Sequence, residues 1–134
     1  MMRALRPELR MPRTWMMGGC FLLLLATVVC LMPADDVPDT HVSDKLEHAL
    51  GFVPLALWFG GISRRQRYLT VALALITFGG LIELAQGLMG WGRNADWLDL
   101  CADVAGVAAG LLLALTPLGR WADLLEILLR KRAP

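Results

Sequence analysis

YLTVALALITFGGLIELAQGL, residues 68–88, is an apolar run of 21 residues interrupted by a single charge, Glu83. At about 1.5 Å per residue it is long enough, as a helix, to cross the roughly 30 Å of hydrocarbon in a bilayer. Three further apolar stretches flank it: Trp15–Met32, Leu46–Ile62 and Leu98–Leu115. Because lipid offers no partner for backbone N–H and C=O groups, each is expected to be a helix. The reading is an all-α integral membrane protein, a four-transmembrane-helix bundle over residues 15–32, 46–62, 68–88 and 98–115. Pro54 removes a backbone donor inside the second stretch, so a kink is expected there.

The whole chain of 134 residues reads as one membrane domain, with 57% hydrophobic residues and a mean hydropathy of +0.56. A net charge of only +1 conceals strong segregation. Arg3, Arg6, Arg10 and Arg13 lie in a basic arm over residues 1–14. Arg64, Arg65 and Arg67 lie between the second and third stretches, and Arg120, Arg130, Lys131 and Arg132 follow the fourth. The alternate loops, Pro33–Lys45 and Met89–Trp97, hold one base each, Lys45 and Arg93. Since Lys and Arg in short loops stay on the cytoplasmic side, both termini are expected in the cytoplasm, N-in and C-in. A nucleic-acid binder would gather its bases on one solvated face, so nucleic acid is excluded as a partner.

The first stretch has the basic start of a signal peptide, but it is long for one and lacks an A-x-A-like site, so it is read as retained. Thr116-Pro117 should end the fourth helix. Beyond it, residues 118–132 place Trp121, Leu124, Leu125 and Leu128 at helical spacing, which predicts a C-terminal amphipathic cytoplasmic helix on the leaflet surface. Cys20, Cys30 and Cys101 form no metal or redox spacing and count as small hydrophobes.

The chemistry-bearing residues gather toward one side. Asp44, Lys45 and His48 enter the second helix from outside, Glu83 and Gln86 leave on the third, and Arg93, Asp96, Asp99 and Asp103 lead into the fourth. Ionisable groups cost about 2.5–3.5 kcal/mol each at the centre of a membrane helix on insertion scales, so such placement is informative. At 100° per residue, Asp96, Asp99 and Asp103 share the face of Gly106 and Gly110. Alongside them Ala102, Gly106, Gly110 and Ala114 form a small-xxx-small series suited to close helix packing. The acids therefore point inward, with Asp44, Gln86, Arg93 and Asp96 near the outer headgroups and His48, Glu83, Asp99 and Asp103 about one turn, or about 5 Å, deeper.

Candidate ligand-binding residues are Asp44, Lys45, His48, Glu83, Gln86, Arg93, Asp99 and Asp103; His48, Glu83 and Asp99 are the candidates for catalysis. His48 with carboxylates suits zinc, manganese or magnesium, but no H-E-x-x-H, E-x-x-H or paired histidine supports a metal, so no metal and no cofactor is expected. Three readings remain open. One is an outward-facing polar pocket that binds a lipid headgroup, a cell-wall precursor or a glycopeptide-like ligand. The second is a hydrolase or transferase acting on a lipid-linked substrate, with Glu83 or Asp99 as base or nucleophile, His48 as its partner, and Lys45 and Arg93 holding a phosphate. The third is purely structural polar packing between helices.

Asp44-Lys45-Leu46-Glu47-His48, followed by Gly51-Phe52-Val53-Pro54-Leu55, resembles the D-K-x-x-H start of the VanZ-like membrane proteins. Glu83-Leu84-Ala85-Gln86 is similar to that family's E-x-x-Q. Arg93 through Asp99 and Asp103 to Gly106 resembles its R-x(5)-D-x-x-x-N-x-x-G close. The likeness covers residues 44–110, with Asp103 standing where the family usually has Asn. The resemblance implies a multi-pass protein of the bacterial plasma membrane connected with the cell envelope; the pocket read above makes membrane lipids and a cell-wall precursor or lipid-linked ligand the expected partners. The family's namesake is associated with resistance to the glycopeptide teicoplanin. The resemblance carries over the positions Asp44, Lys45, His48, Glu83, Gln86, Arg93, Asp99, Asp103 and Gly106, and no particular reaction.

Overall fold

A computed structural model describes residues 4–33, 36, 42–91 and 94–132. It is all α: α1 Pro12–Cys30, α2 Asp44–Ile62, α3 Tyr68–Met89, α4 Trp97–Ala114 and α5 Trp121–Arg132. Short 3-10 turns at Arg65–Arg67 and Pro117–Arg120 lead into α3 and α5. Three helices are long and apolar enough to cross a membrane: Pro12–Cys30, Arg65–Met89 and Trp97–Ala114. At 19 residues α2 matches α1 in length, but Asp44, Lys45, Glu47 and His48 make its first turns polar. The helix runs unbroken through Pro54. Arg93 and residues 1–3 lie outside the described residues, as does most of the loop between α1 and α2.

Helix boundaries have local causes. Pro12 opens α1, where its missing N–H would have had no helical partner. The Asp96 carboxylate accepts from the Leu98 N–H at 2.9 Å and so caps α4. Gly90, at φ +67°, supplies the left-handed residue that stops α3. Pro117 ends the run of α4, and the Thr116 hydroxyl caps the turn by accepting from the Leu118 N–H.

The tightest pairing is between α2 and α4, which run parallel. Gly106 lies against the Ala49 carbonyl and Phe52, Gly110 against the Val53 carbonyl and Ala56, and Gly60 faces Ala114. Only a missing side chain permits this approach, the use of small residues that close packing in lipid demands. Phe52, Leu55, Ala56, Leu75 and Val107 form the apolar core between α2, α3 and α4. Outward-facing residues are large and apolar: Phe21, Leu24, Leu73, Leu81 and Leu112 are each at least 58% exposed. Buried polar groups such as His48, Glu83, Gln86, Asp99 and Asp103 lie inside. Apolar outside and polar within is the inverse of a water-soluble bundle.

At the opposite, arginine-rich end the arm before α1 is docked. Leu5 pairs with Ser63 through an isolated antiparallel bridge, and Leu5 and Leu9 are buried. Arg6 bonds Asp123 at 2.7 Å and the Gly61 carbonyl at 3.1 Å, while Arg64 donates to the Leu5 carbonyl at 3.1 Å. Glu126 of α5 accepts from the Arg10 and Met11 backbone N–H groups and from the Trp15 indole, at 2.8–3.1 Å. Trp15, Trp58 and Trp121 stack beside it, with ring centroids 4.3–6.3 Å apart. The buried side of α5 is thus Ala122 with Asp123 and Glu126, whereas Leu124, Leu125, Ile127, Leu128 and Leu129 stay 41–57% exposed.

Two consequences are measurable. Replacing Gly110 with Val places a side chain on the α2 backbone and should cost about 1–3 kcal/mol, read as a lowered melting temperature in detergent. Glu126 is pushed up by partial burial, but the Arg10 and Met11 N–H groups and the Trp15 indole outweigh this and hold it below its ordinary value of 4.5. A depressed carboxylate stabilises the docked state above its ordinary value and loses that contribution as pH falls through the lowered folded value. Tryptophan fluorescence should therefore report loosening of the Trp15 cluster only below pH 4.5, and Glu126→Gln should abolish that acid transition.

Candidate functional site

The end of the bundle remote from the arginines holds the titratable cluster, and the α2–α4 register builds it. Moving along both helices away from the glycine contacts, His48 comes to face Asp103 and Lys45 comes to face Asp99. His48 Nδ1 lies 3.0 Å from Asp103 Oδ1, and Lys45 Nζ lies 3.2 Å from Asp99 Oδ1 and 2.8 Å from Asp96 Oδ2. Helix α3 adds Glu83, whose Oε1 lies 3.8 Å from His48 Nδ1 while Oε2 accepts from the Asp96 N–H at 2.9 Å. Gly79, one turn along α3, leaves the room that the Asp103 carboxylate occupies; a Cβ there would collide with it.

His48, Glu83, Asp99 and Asp103 are all buried, with Asp103 only 1% exposed. Lys45 and Asp96 sit at the more exposed rim. There the Lys45 ammonium, bonded to the Asp96 carboxyl, holds it below its ordinary range, helped by the Leu98 N–H. Among the described residues, Glu83 Oε1 and Asp103 Oδ2 are buried without a hydrogen-bond partner. Leaving a carboxylate oxygen in that state is costly, so the interior of the cluster is polar beyond what its own members satisfy.

The structure places the sequence-derived candidates unevenly. Lys45, His48, Glu83, Asp99 and Asp103 converge. Asp44 stands at the exposed start of α2, with a carboxylate oxygen within 4.8 Å of ligating atoms of His48 and Asp99. Gln86 does not join them: it is 2% exposed and its amide donates at 2.9 Å to the Cys30 carbonyl, tying the end of α1 to α3. Arg93 lies outside the described residues. Asp96, read from sequence as a rim residue, proves to be a joint holding Lys45, Glu83 and the start of α4.

One element escapes sequence reading. A groove of about 260 Å³ runs between α1 and α2, lined by Leu22, Leu25, Val29 and Leu55, and meets Asp44, Glu47 and His48 at its polar end. Spacing marks neither of its walls, because the walls belong to helices whose relative rotation a single sequence does not state.

Chemically, the cluster can accept hydrogen bonds, hold a cation or exchange a proton between His48 and Asp103. Around Lys45 and His48 stand Glu83, Asp96, Asp99 and Asp103, so these converging groups hold more acid than base. No curated protein and no solved structure matches the chain. A sequence model of the VanZ/LLP1 family does, over residues 15–120, which takes in α1 through α4 and the turn after them. The chain belongs to the VanZ/LLP1 family and is a membrane protein carrying a buried His/Asp/Glu cluster.

Proposed function

We propose that this protein is a single membrane domain that binds an amphiphilic component of the bacterial envelope, headgroup at the Lys45–His48–Glu83–Asp99–Asp103 cluster and apolar tail in the α1–α2 groove. The observation that carries it is continuity: the apolar groove opens onto Asp44, Glu47 and His48 at its polar end. A binding cleft of this kind, mostly apolar with a few convergent polar groups, suits a ligand with the same division. The acid excess favours a headgroup that brings an amine or several hydroxyls, as an aminated lipid, a cell-wall precursor or a glycopeptide-like molecule does, over a bare phosphate.

The placement in the membrane belongs to the same proposal. All four helices α1–α4 span the plasma membrane, α2 included, because its lipid-directed residues Leu46 and Leu50 are exposed while His48 is turned inward. The arginine-bearing segments 4–13, 64–67 and 120–131 gather at one end, which supports a cytoplasmic position for that end and an outer-leaflet position for the cluster. The exposed leucines of α5 then rest on the cytoplasmic leaflet.

The enzyme reading has one specific obstacle. It has Lys45 and Arg93 holding a phosphate, and of these the Lys45 ammonium already contacts two carboxylates, at 2.8 and 3.2 Å. Binding is the reading that the geometry favours.

Gly51 gives a clean test, since a Cβ built there meets nothing within 4 Å. Gly51→Leu should fill the groove without disturbing the helices. In native mass spectrometry with phosphatidylethanolamine and phosphatidylglycerol, wild type should retain the amine-bearing lipid in preference. Gly51→Leu and Glu83→Ala should each lower retention by about tenfold or more, equivalent to about 1.4 kcal/mol. Retention unchanged in both variants, with the proteins still folded, removes the proposal. For the topology, cysteines placed at Gln66 and Asn94 should react with an impermeant thiol reagent in intact cells only at Asn94; labelling at Gln66 reverses the orientation.

A further inference from the structure

Beneath the rim of the cluster, three donors from three helices meet at one point. His48 of α2, Glu83 of α3 and Asp103 of α4 bring one ligating atom each within 4.8 Å of the others, and all three residues are buried. His48 Nδ1 stands 3.0 Å from Asp103 Oδ1 and 3.8 Å from Glu83 Oε1. Donors bound to one zinc ion at about 2.0–2.2 Å lie roughly 3–4 Å from each other, so these separations fall in the range that a shared ion imposes.

A cluster of acids alone would not point to an ion, and here a second observation does. Glu83 Oε1 and Asp103 Oδ2 have no hydrogen-bond partner among the described residues, although Glu83 is 6% and Asp103 1% exposed. Buried carboxylate oxygens are ordinarily paired or metal-bound, because burying a charge without compensation is among the most expensive arrangements a protein can hold. Lys45 does not reach them: it is engaged by Asp96 and Asp99. One imidazolium balances only one of the two charges, whereas a divalent cation balances both and leaves His48 neutral as a ligand.

We infer that His48, Glu83 and Asp103 form a divalent metal site, with zinc the ion best suited to one imidazole and two carboxylates. Three protein donors leave a coordination position open, as in zinc sites that also hold water or a ligand group. The neighbouring trio Asp44, His48 and Asp99 is the weaker arrangement, since Asp44 is exposed and Asp99 is bonded to Lys45. Sequence spacing hides the preferred site because its ligands are 35 and 20 residues apart, one to a helix (48 to 83, 83 to 103). The ion takes three of the five residues assigned above to the headgroup, which would then meet it at the open coordination position. Zinc binding itself needs neither the groove nor an amphiphile, so the two readings are tested apart.

The test is zinc binding by purified full-length protein in detergent after removal of metals with EDTA. Titration with ZnCl2 should give one ion per chain and a raised melting temperature, and MgCl2 at the same concentration should not raise it. Glu83→Gln and Asp103→Asn preserve size and keep one acceptor oxygen while removing the charge, and each should weaken zinc binding by about tenfold or more. Both should also lose the zinc-induced rise while melting, metal-free, no lower than wild type. Gly51→Leu, which blocks the groove, should bind zinc as wild type does. Absence of stoichiometric zinc, equal affinity in wild type, Glu83→Gln and Asp103→Asn, or an equal response to magnesium overturns the site.

Discussion

The contact on which everything else rests is the side-chain-free seam between α2 and α4. Gly106 and Gly110 let α4 lie on the carbonyls of Ala49 and Val53, closer than any residue with a Cβ allows. Backbone-to-backbone contact of this kind fixes rotation and register together, because a helix turned or slid by one residue would drive a side chain into the seam. With Gly106 seated on Ala49 and Phe52 and Gly110 on Val53 and Ala56, the acidic ends of the two helices run side by side, and side chains there reach from 48 to 103 and from 45 to 99. The chemistry is thus a consequence of the packing below it, and α3 completes it by yielding space at Gly79 and supplying Glu83.

The two ends of the bundle solve opposite problems. At the arginine-rich end, charge is neutralised by close pairing: Arg6 with Asp123, and Glu126 with backbone N–H groups and the Trp15 indole. These bonds tie the segment before α1 and the start of α1 to α5, so that the arm and the last helix brace each other. At the acidic end, pairing stops short. Lys45 bridges Asp96 and Asp99 at the rim, yet the deeper Glu83 and Asp103 keep oxygens without partners. A protein that needed only helix adhesion would have finished that network, since Asn or Ser at those positions bonds across helices without a buried charge. That unfinished pairing is the feature that supports the proposed site over helix packing alone.

Sequence reading went far on quantities with a fixed length scale. The helices fall within three residues of the apolar runs at each end, because hydrocarbon thickness and the 1.5 Å rise set them. The inward face of α4 was legible from the period of Asp99, Asp103, Gly106 and Gly110. What one chain's pattern does not encode is which residue on one helix meets which on another. Gln86 shares a helix face with Glu83, yet it reaches the Cys30 carbonyl on α1. Likewise the sequence marks residues 1–14 only as a basic arm, but Leu5 and Leu9 are buried and its backbone pairs with Ser63 and Glu126. Those contacts are made by main-chain groups, which leave no mark in the order of side chains.

The polarity of α2 follows from the same geometry. Counted by composition it is the least membrane-like of the four long helices, with Asp44, Lys45, Glu47 and His48 in its first five residues. Counted by direction it is different, because His48 is 6% exposed while Leu46 and Leu50 are 49% and 57% exposed. A hydropathy average adds the side chain facing α4 to the one facing outward as if both met the same medium. The cost of a polar residue in a bilayer depends on whether it faces lipid or a partnered interior. On α2 the buried imidazole faces carboxylates from α3 and α4, so its polarity is needed for the cluster and does not weigh against a span. A helix that composition alone would set aside is therefore the one around which the other two organise the chemistry.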